Sequence, residues 1–166
     1  MLLYNRAASM GDGRAPEIGA SVSFDVTVDR HAVQTFADLS GDHALMHVDE
    51  GFMAATTFGR RIAHGALLVA YMSCASTMMA GADGDVDPEG FPLSLGFDRI
   101  RFLAPVFLDD VISVHYQIVE FDEQVDRSSA DIRMSNQDGA LVAVATHLMK
   151  WVGSKSSAPR SEGALA

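Results

Sequence analysis

The spacing of apolar positions changes several times along the chain, and the changes mark out its elements. Ser21-Val22-Ser23-Phe24-Asp25-Val26-Thr27-Val28 alternates polar and apolar side chains, the period of two that marks a half-buried strand. Asp29 then stands where a helix N-cap belongs, and Val33, Phe36, Ala37 and Leu39 fall on one face of a short helix over Arg30–Leu39. Ser40-Gly41-Asp42 ends that helix. A second short helix is predicted over His47–Thr56, with Phe52, Met53 and Ala54 turned inward, and residues 57–61 connect it to a third. From Ala63 to Met79 the chain is apolar nearly all round, through Leu67, Leu68, Ala70, Tyr71, Cys74 and Ala75, which predicts a central buried helix.

After an acidic loop over Gly81–Gly90, the period of two returns. Pro92–Phe107 alternates around Phe97, Ile100 and Phe102, with Pro105 marking a bulge or an edge. Asp109-Asp110 makes a turn, Val111–Phe121, Arg127–Met134 and Leu141–Val152 read as strands, and Asn136–Gly139 is a hairpin turn. One long buried helix followed by an antiparallel meander is an α+β pattern, with the sheet wrapped round the helix. Residues 1–17 lack periodicity and are expected to form a flexible arm; the polar residues 153–166 are expected to be a disordered tail. Between them, residues 18–152 form one domain, long enough to bury a core.

Composition narrows the function classes. A formal charge of −10 without a basic run excludes nucleic acid and anionic membrane as partners. Ile62–Ala82 is the one stretch long and apolar enough to consider as a membrane span, but His64, Ser73 and Ser76 lie within it, and its Gly, Ala and Ser content fits a helix buried in protein. The N-terminus is too polar for a signal peptide, so a cytoplasmic protein is expected. The single Cys74 has no intrachain disulfide partner and reads as a small buried hydrophobe; Met72, Met78 and Met79 read as core packing.

The chemistry concentrates between Phe36 and Gly65. Asp42 and His47 lie five apart in a Gly-containing segment, where a carboxylate and an imidazole can hold one water and exchange protons near neutral pH. A helix starting near Gly65 presents free backbone N–H groups to a carbonyl oxygen, and the missing Cβ lets that oxygen come close. His43 and His47 have the spacing of two metal ligands on a helix, but Ala44 stands where a metalloprotease has Glu and no Cys or third His is near in sequence. The run Asp83, Asp85, Asp87 fails as a calcium loop, because Pro88 and Ser94 occupy the Gly and Glu positions.

Ser40-Gly41-Asp42, the four residues to His47-x-Asp49, the following Ala-containing helix and Ile62-Ala63-His64-Gly65 together resemble the hydratase motif of the MaoC-like family, the (R)-specific enoyl-CoA hydratases. The similarity runs from about residue 18 to 152 and includes the strand segment Arg101–Ile112. It implies a hot-dog fold and addition of water across a trans-2-enoyl thioester, or the reverse dehydration. Asp42 and His47 would activate water, and the Gly65 N–H would polarise the thioester carbonyl. Ser73, His64 and Asp49 fall at positions near the substrate; equally, Ser73 can bond back to its own helix, His64 can pack beside the site and Asp49 can be a helix-start carboxylate. The resemblance implies no metal or redox cofactor, with CoA entering as part of the acyl-CoA substrate. Arg60, Arg61, Arg99 and Arg101 are candidates for its phosphates; equally, each can be solvated or held in a surface ion pair. A single sheet with an open edge suggests a homodimer or a dimer of dimers.

At one place the pattern departs. Ala44-Leu45 stand where the family usually carries Asn-Pro, which removes a fixed φ and a side chain able to pin the loop. That departure leaves open a homologue that binds acyl-CoA without turning it over; independently, a carboxylate activating water against the carbonyl would make a hot-dog thioesterase.

Overall fold

A computed structural model describes residues 3–7, 16–81 and 90–153 of the chain. The element order is β1 (Leu3–Ala7), β2 (Ser21–Thr27), α1 (Arg30–Ser40), α2 (Leu45–Val48), α3 (Glu50–Ala54), α4 (Gly65–Ala80), β3 (Gly90–Phe102), β4 (Val111–Asp122), β5 (Arg127–Ser135) and β6 (Leu141–Gly153). The strands form one antiparallel sheet in the order β1-β2-β4-β5-β6-β3. α4 packs against β2, β3 and β4, so the sheet wraps a central helix as the sequence pattern predicts.

The core forms where two periods meet. Along β4, Ile112, Val114, Tyr116 and Ile118 are buried in strict alternation, and Val22, Phe24, Ala130, Ile132 and Met134 continue that face on the neighbouring strands. α4 answers with Leu67, Leu68, Met72, Ala75 and Met79. Its opposite side exposes Ala66, Ala70, Ser73 and Thr77, so it is buried along a stripe rather than all round. Met72 and Met79 are core, Met78 packs against it, and Cys74 is half-buried.

A buried polar group sits within the sheet. His147 is fully buried, with Nδ1 2.9 Å from the Tyr116 hydroxyl and Nε2 2.8 Å from the Ser94 hydroxyl, and its ring stacks on Phe97. Burial lowers the His147 pKa from 6.5 to about 4 and raises that of Tyr116 above the ordinary phenol value.

Several elements differ from the sequence expectation. Leu3–Ala7, in the stretch read as a flexible arm, pair with β2, whose outer edge would otherwise leave its backbone groups open. The helix expected over His47–Thr56 is two short ones. Asp49 adopts an extended conformation (φ −111°, ψ 109°) between them, and its carboxylate accepts from the Phe52 N–H to start α3. Of the three residues expected inward, Met53 is buried while Phe52 and Ala54 are exposed, because successive residues on a helix point 100° apart. Leu39, at the end of α1, is also exposed. The strand expected to run to Phe107 ends at Phe102. Beyond it, Pro105 has no N–H for a ladder.

The Asp109 turn, with φ 69°, and the hairpin closed by Gly139 N–H to the Asn136 carbonyl at 2.9 Å form as expected. Asp83, Asp85 and Asp87, with most of the acidic loop around them, and the polar tail beyond Gly153 lie outside the described residues. Among the described residues, no helix is long and apolar enough to cross a membrane.

Candidate active site

The site is built where α1 stops. Gly41 takes φ 77°, a left-handed conformation suited to Gly, and its N–H closes α1 on the Ala37 carbonyl at 2.8 Å. The Ser40 hydroxyl donates to the Phe36 carbonyl and accepts from the Asp42 N–H, so Asp42 emerges in a fixed direction. Its carboxylate accepts from the Ala44 N–H at 3.3 Å, closing a local turn of a kind Asp commonly makes. That turn leaves the other carboxylate oxygen free of it.

Two histidines then lock the loop to the segment before α4. His47, buried on α2, has Nδ1 2.8 Å from the Ile62 carbonyl; His64, the N-cap residue of α4, has Nε2 2.9 Å from the Asp42 carbonyl. The Ile62 N–H returns a bond to the Met46 carbonyl at 3.1 Å. A carbonyl oxygen can only accept, so these partners assign the proton to Nδ1 of His47 and to Nε2 of His64. Nε2 of His47 and Nδ1 of His64 are thereby lone-pair acceptors in the neutral rings. Among the described residues, the buried His64 Nδ1 has no hydrogen-bond partner.

A carboxylate oxygen of Asp42 and one nitrogen from each ring lie within 4.8 Å of one another. The two rings stack with centroids 3.8 Å apart and planes 28° apart. Imidazole lone pairs lie in the ring plane, so stacked rings aim them side by side rather than at a common point. That geometry suits a hydrogen-bonded water between acid and base better than a shared metal ion. His43 takes no part: it is exposed, 3.9 Å from the Asp38 carboxylate.

Gly65 opens α4, so its N–H has no acceptor within the helix. A Cβ at this position would meet the Phe102 ring at 2.5 Å, which makes Gly the residue that fits. His47 and Gly65 line the same cleft, of about 410 Å³, together with Met46, Phe58, Leu68 and Phe102. Apart from His47, the side chains that line the cleft are apolar, a wall suited to a hydrocarbon chain.

Of the residues singled out in the sequence, the fold gathers Asp42, His47, His64 and Gly65. Ser73 is exposed on α4, where its carbonyl accepts from the Ser76 and Thr77 hydroxyls, and it does not line the cleft. Asp49 caps α3. Arg61, a candidate for the CoA phosphates, is buried and ion-paired with Glu50, whereas Arg60 lies over the Phe107 ring at 4.0 Å. Sequence reasoning missed the cleft walls Met46, Phe58 and Phe102. The alternation around Phe102 placed it in a strand but carried no sign that it would reach Gly65.

A sequence profile described as a MaoC like domain matches residues 14–138 of this chain. The chain belongs to the MaoC-like dehydratase family. Among its relatives, the (R)-specific enoyl-CoA hydratase of Aeromonas caviae is 28% identical over 134 residues, covering 81% of this chain and 94% of that protein. The 3-hydroxyacyl-thioester dehydratase Z of Mycobacterium tuberculosis is 36% identical over 106 residues, 64% of this chain and 66% of its own. Nodulation protein N of Rhizobium meliloti is 34% identical over 105 residues, 63% of this chain and 62% of its own. The match thus spans slightly under two thirds of the last two proteins.

In three dimensions, the (R)-hydratase of A. caviae superposes with a TM-score of 0.70 at 27% identity over 81% of this chain and 96% of that one. The unliganded R-hydratase of Pseudomonas aeruginosa gives 0.73 at 26% identity over 98% and 100%. The fold of this MaoC-like chain is therefore the hot-dog fold. Asp42, His47 and Gly65 all fall inside the part of the chain that the family profile covers.

Proposed function

We infer that this chain is an (R)-specific enoyl-CoA hydratase, or equally a 3-hydroxyacyl-CoA dehydratase, since one site catalyses both directions. The observation that carries the reading is His47: its Nδ1 is held by the Ile62 carbonyl, its ring lies beside the Asp42 carboxylate, and it lines the cleft that also holds the Gly65 N–H. In the proposed step the thioester carbonyl accepts from Gly65 at the start of α4. A water donates one hydrogen bond to the Asp42 carboxylate and one to Nε2 of His47.

As the water oxygen bonds to C3, one of these two groups takes its proton. The C2–C3 π electrons move onto the thioester as an enolate, stabilised by the Gly65 N–H, and C2 then gains a proton. The step draws on no metal or redox cofactor, and CoA is present as part of the substrate. The apolar walls of Met46, Phe58 and Phe102 would take the acyl chain.

A homodimer fits this reading, because the edge strand β3 exposes Leu93, Leu95 and Phe102; sedimentation at micromolar concentration checks it. The activity is tested by incubating the protein with trans-2-enoyl-CoA and resolving the product. An (R)-3-hydroxyacyl-CoA is expected. Release of free CoA thiol without a hydroxyacyl product would make the chain a thioesterase instead, and acyl-CoA binding with neither product would make it a binding homologue.

A further inference from the structure

Arg60 and Arg61 are neighbours in sequence with opposite surroundings. Arg61 is 3% exposed. Its Nε donates to the Glu50 carboxylate at 2.9 Å, and its Nη1 reaches the carbonyls of His47 and Val48 at 3.4 and 3.3 Å. Those carbonyls end α2, a four-residue helix whose last acceptors have no partner within the helix. The remaining Nη2 is buried and has no acceptor among the described residues. A guanidinium in this state is poorly explained by stability. Its carboxylate partner is more than half exposed, which leaves the pair weak, and the buried N–H is left unmet. Its placement explains it better.

We propose that Arg61 is a positioning residue for His47, supplying the bracing that Ala44-Leu45 cannot. The planar fork ties the His47 and Val48 carbonyls to Glu50, and the next residue, Ile62, accepts from the His47 ring. Consecutive residues thus fix both the backbone and the imidazole of one side chain. Lys could bring the charge but could not span carboxylate and carbonyls at once. The inference rests on His47 serving as acid or base in the hydration.

The test compares Arg61→Met, Arg61→Lys and Glu50→Gln with wild type. Steady-state kinetics on trans-2-enoyl-CoA, thermal unfolding and the NMR signal of the His47 Nδ1–H are read for each. Arg61→Met is expected to lower kcat by roughly 10- to 100-fold, the effect of a displacement of about an ångström, with KM changed less than about twofold and the Nδ1–H signal lost. Arg61→Lys should recover part of kcat. Glu50→Gln, at a half-exposed position that does not threaten folding, should lower kcat severalfold. A kcat unchanged in both Arg61→Lys and Glu50→Gln, or losses that merely follow the folded fraction, would overturn the inference. Should wild type turn over no enoyl thioester, the hydratase reading fails separately. The Nδ1–H signal then decides the brace, and its persistence in Arg61→Met would overturn it.

Discussion

Gly65 carries two demands at once, and they make opposite predictions for fold and activity. A Cβ there would lie 2.5 Å from Phe102 Cε2 and 2.7 Å from Cζ, the far end of a half-exposed ring that can swing aside. Gly65→Ala is therefore expected to fold, with a melting temperature within a few degrees of wild type. Its kcat/KM should fall at least about tenfold, because the added methyl crowds the cleft that Gly65 and Phe102 both line and holds the carbonyl off the N–H. Calorimetry beside steady-state kinetics separates the two effects. Asp42, His47 and Gly65 were legible as candidates because their spacing lies within one short stretch of chain. The partners that complete the site were not. Phe102 reaches Gly65 from a strand 37 positions away, and Arg61 meets Glu50 and His47 across a fold-back that no local period encodes. Ser73 shows the converse: a position suggestive in one dimension points away from the cleft in three.

Among the elements, period and caps divided the work. The strands were legible because one face is buried and a slip by one residue would turn every apolar side chain outward. Asp29 was legible as a cap, and its carboxylate accepts from the Ala32 N–H at 2.7 Å. Asp29→Ala is expected to destabilise the protein by about 1 kcal/mol, measured by urea unfolding. The break at Asp49 was not legible, since over so few residues a single capping carboxylate outweighs the apolar pattern. α4 owes its place to its buried stripe. Met72, fully buried at the centre of that stripe, should cost about 2–5 kcal/mol on Met72→Ala, read as a lowered urea midpoint with an unchanged slope.

For the molecule as a whole, His147 sets a pH dependence. Its folded pKa of about 4 lies below the ordinary 6.5 because burial disfavours the charged ring. As pH falls below 6.5 the unfolded chain takes up this proton first, so stability present above 6.5 declines down to about pH 4. The full loss is about 3 kcal/mol. His147→Gln, with no ring to protonate, should be less stable at pH 7 yet flatter over that interval in urea titrations. The fold class was readable from one apolar helix and a meander of strands. This polar triad of His147, Tyr116 and Ser94 was not, because it joins three strands whose pairing the alternation leaves unspecified.

The hydratase account stands or falls on loss of enoyl thioester absorbance with trans-2-enoyl-CoA, followed for wild type, Asp42→Asn and His47→Gln. Turnover by wild type and a fall in kcat of about 10²–10⁴-fold in each variant, both still folded, is the expected result. Turnover that survives in either folded variant would contradict the assignment of the water to Asp42 and His47.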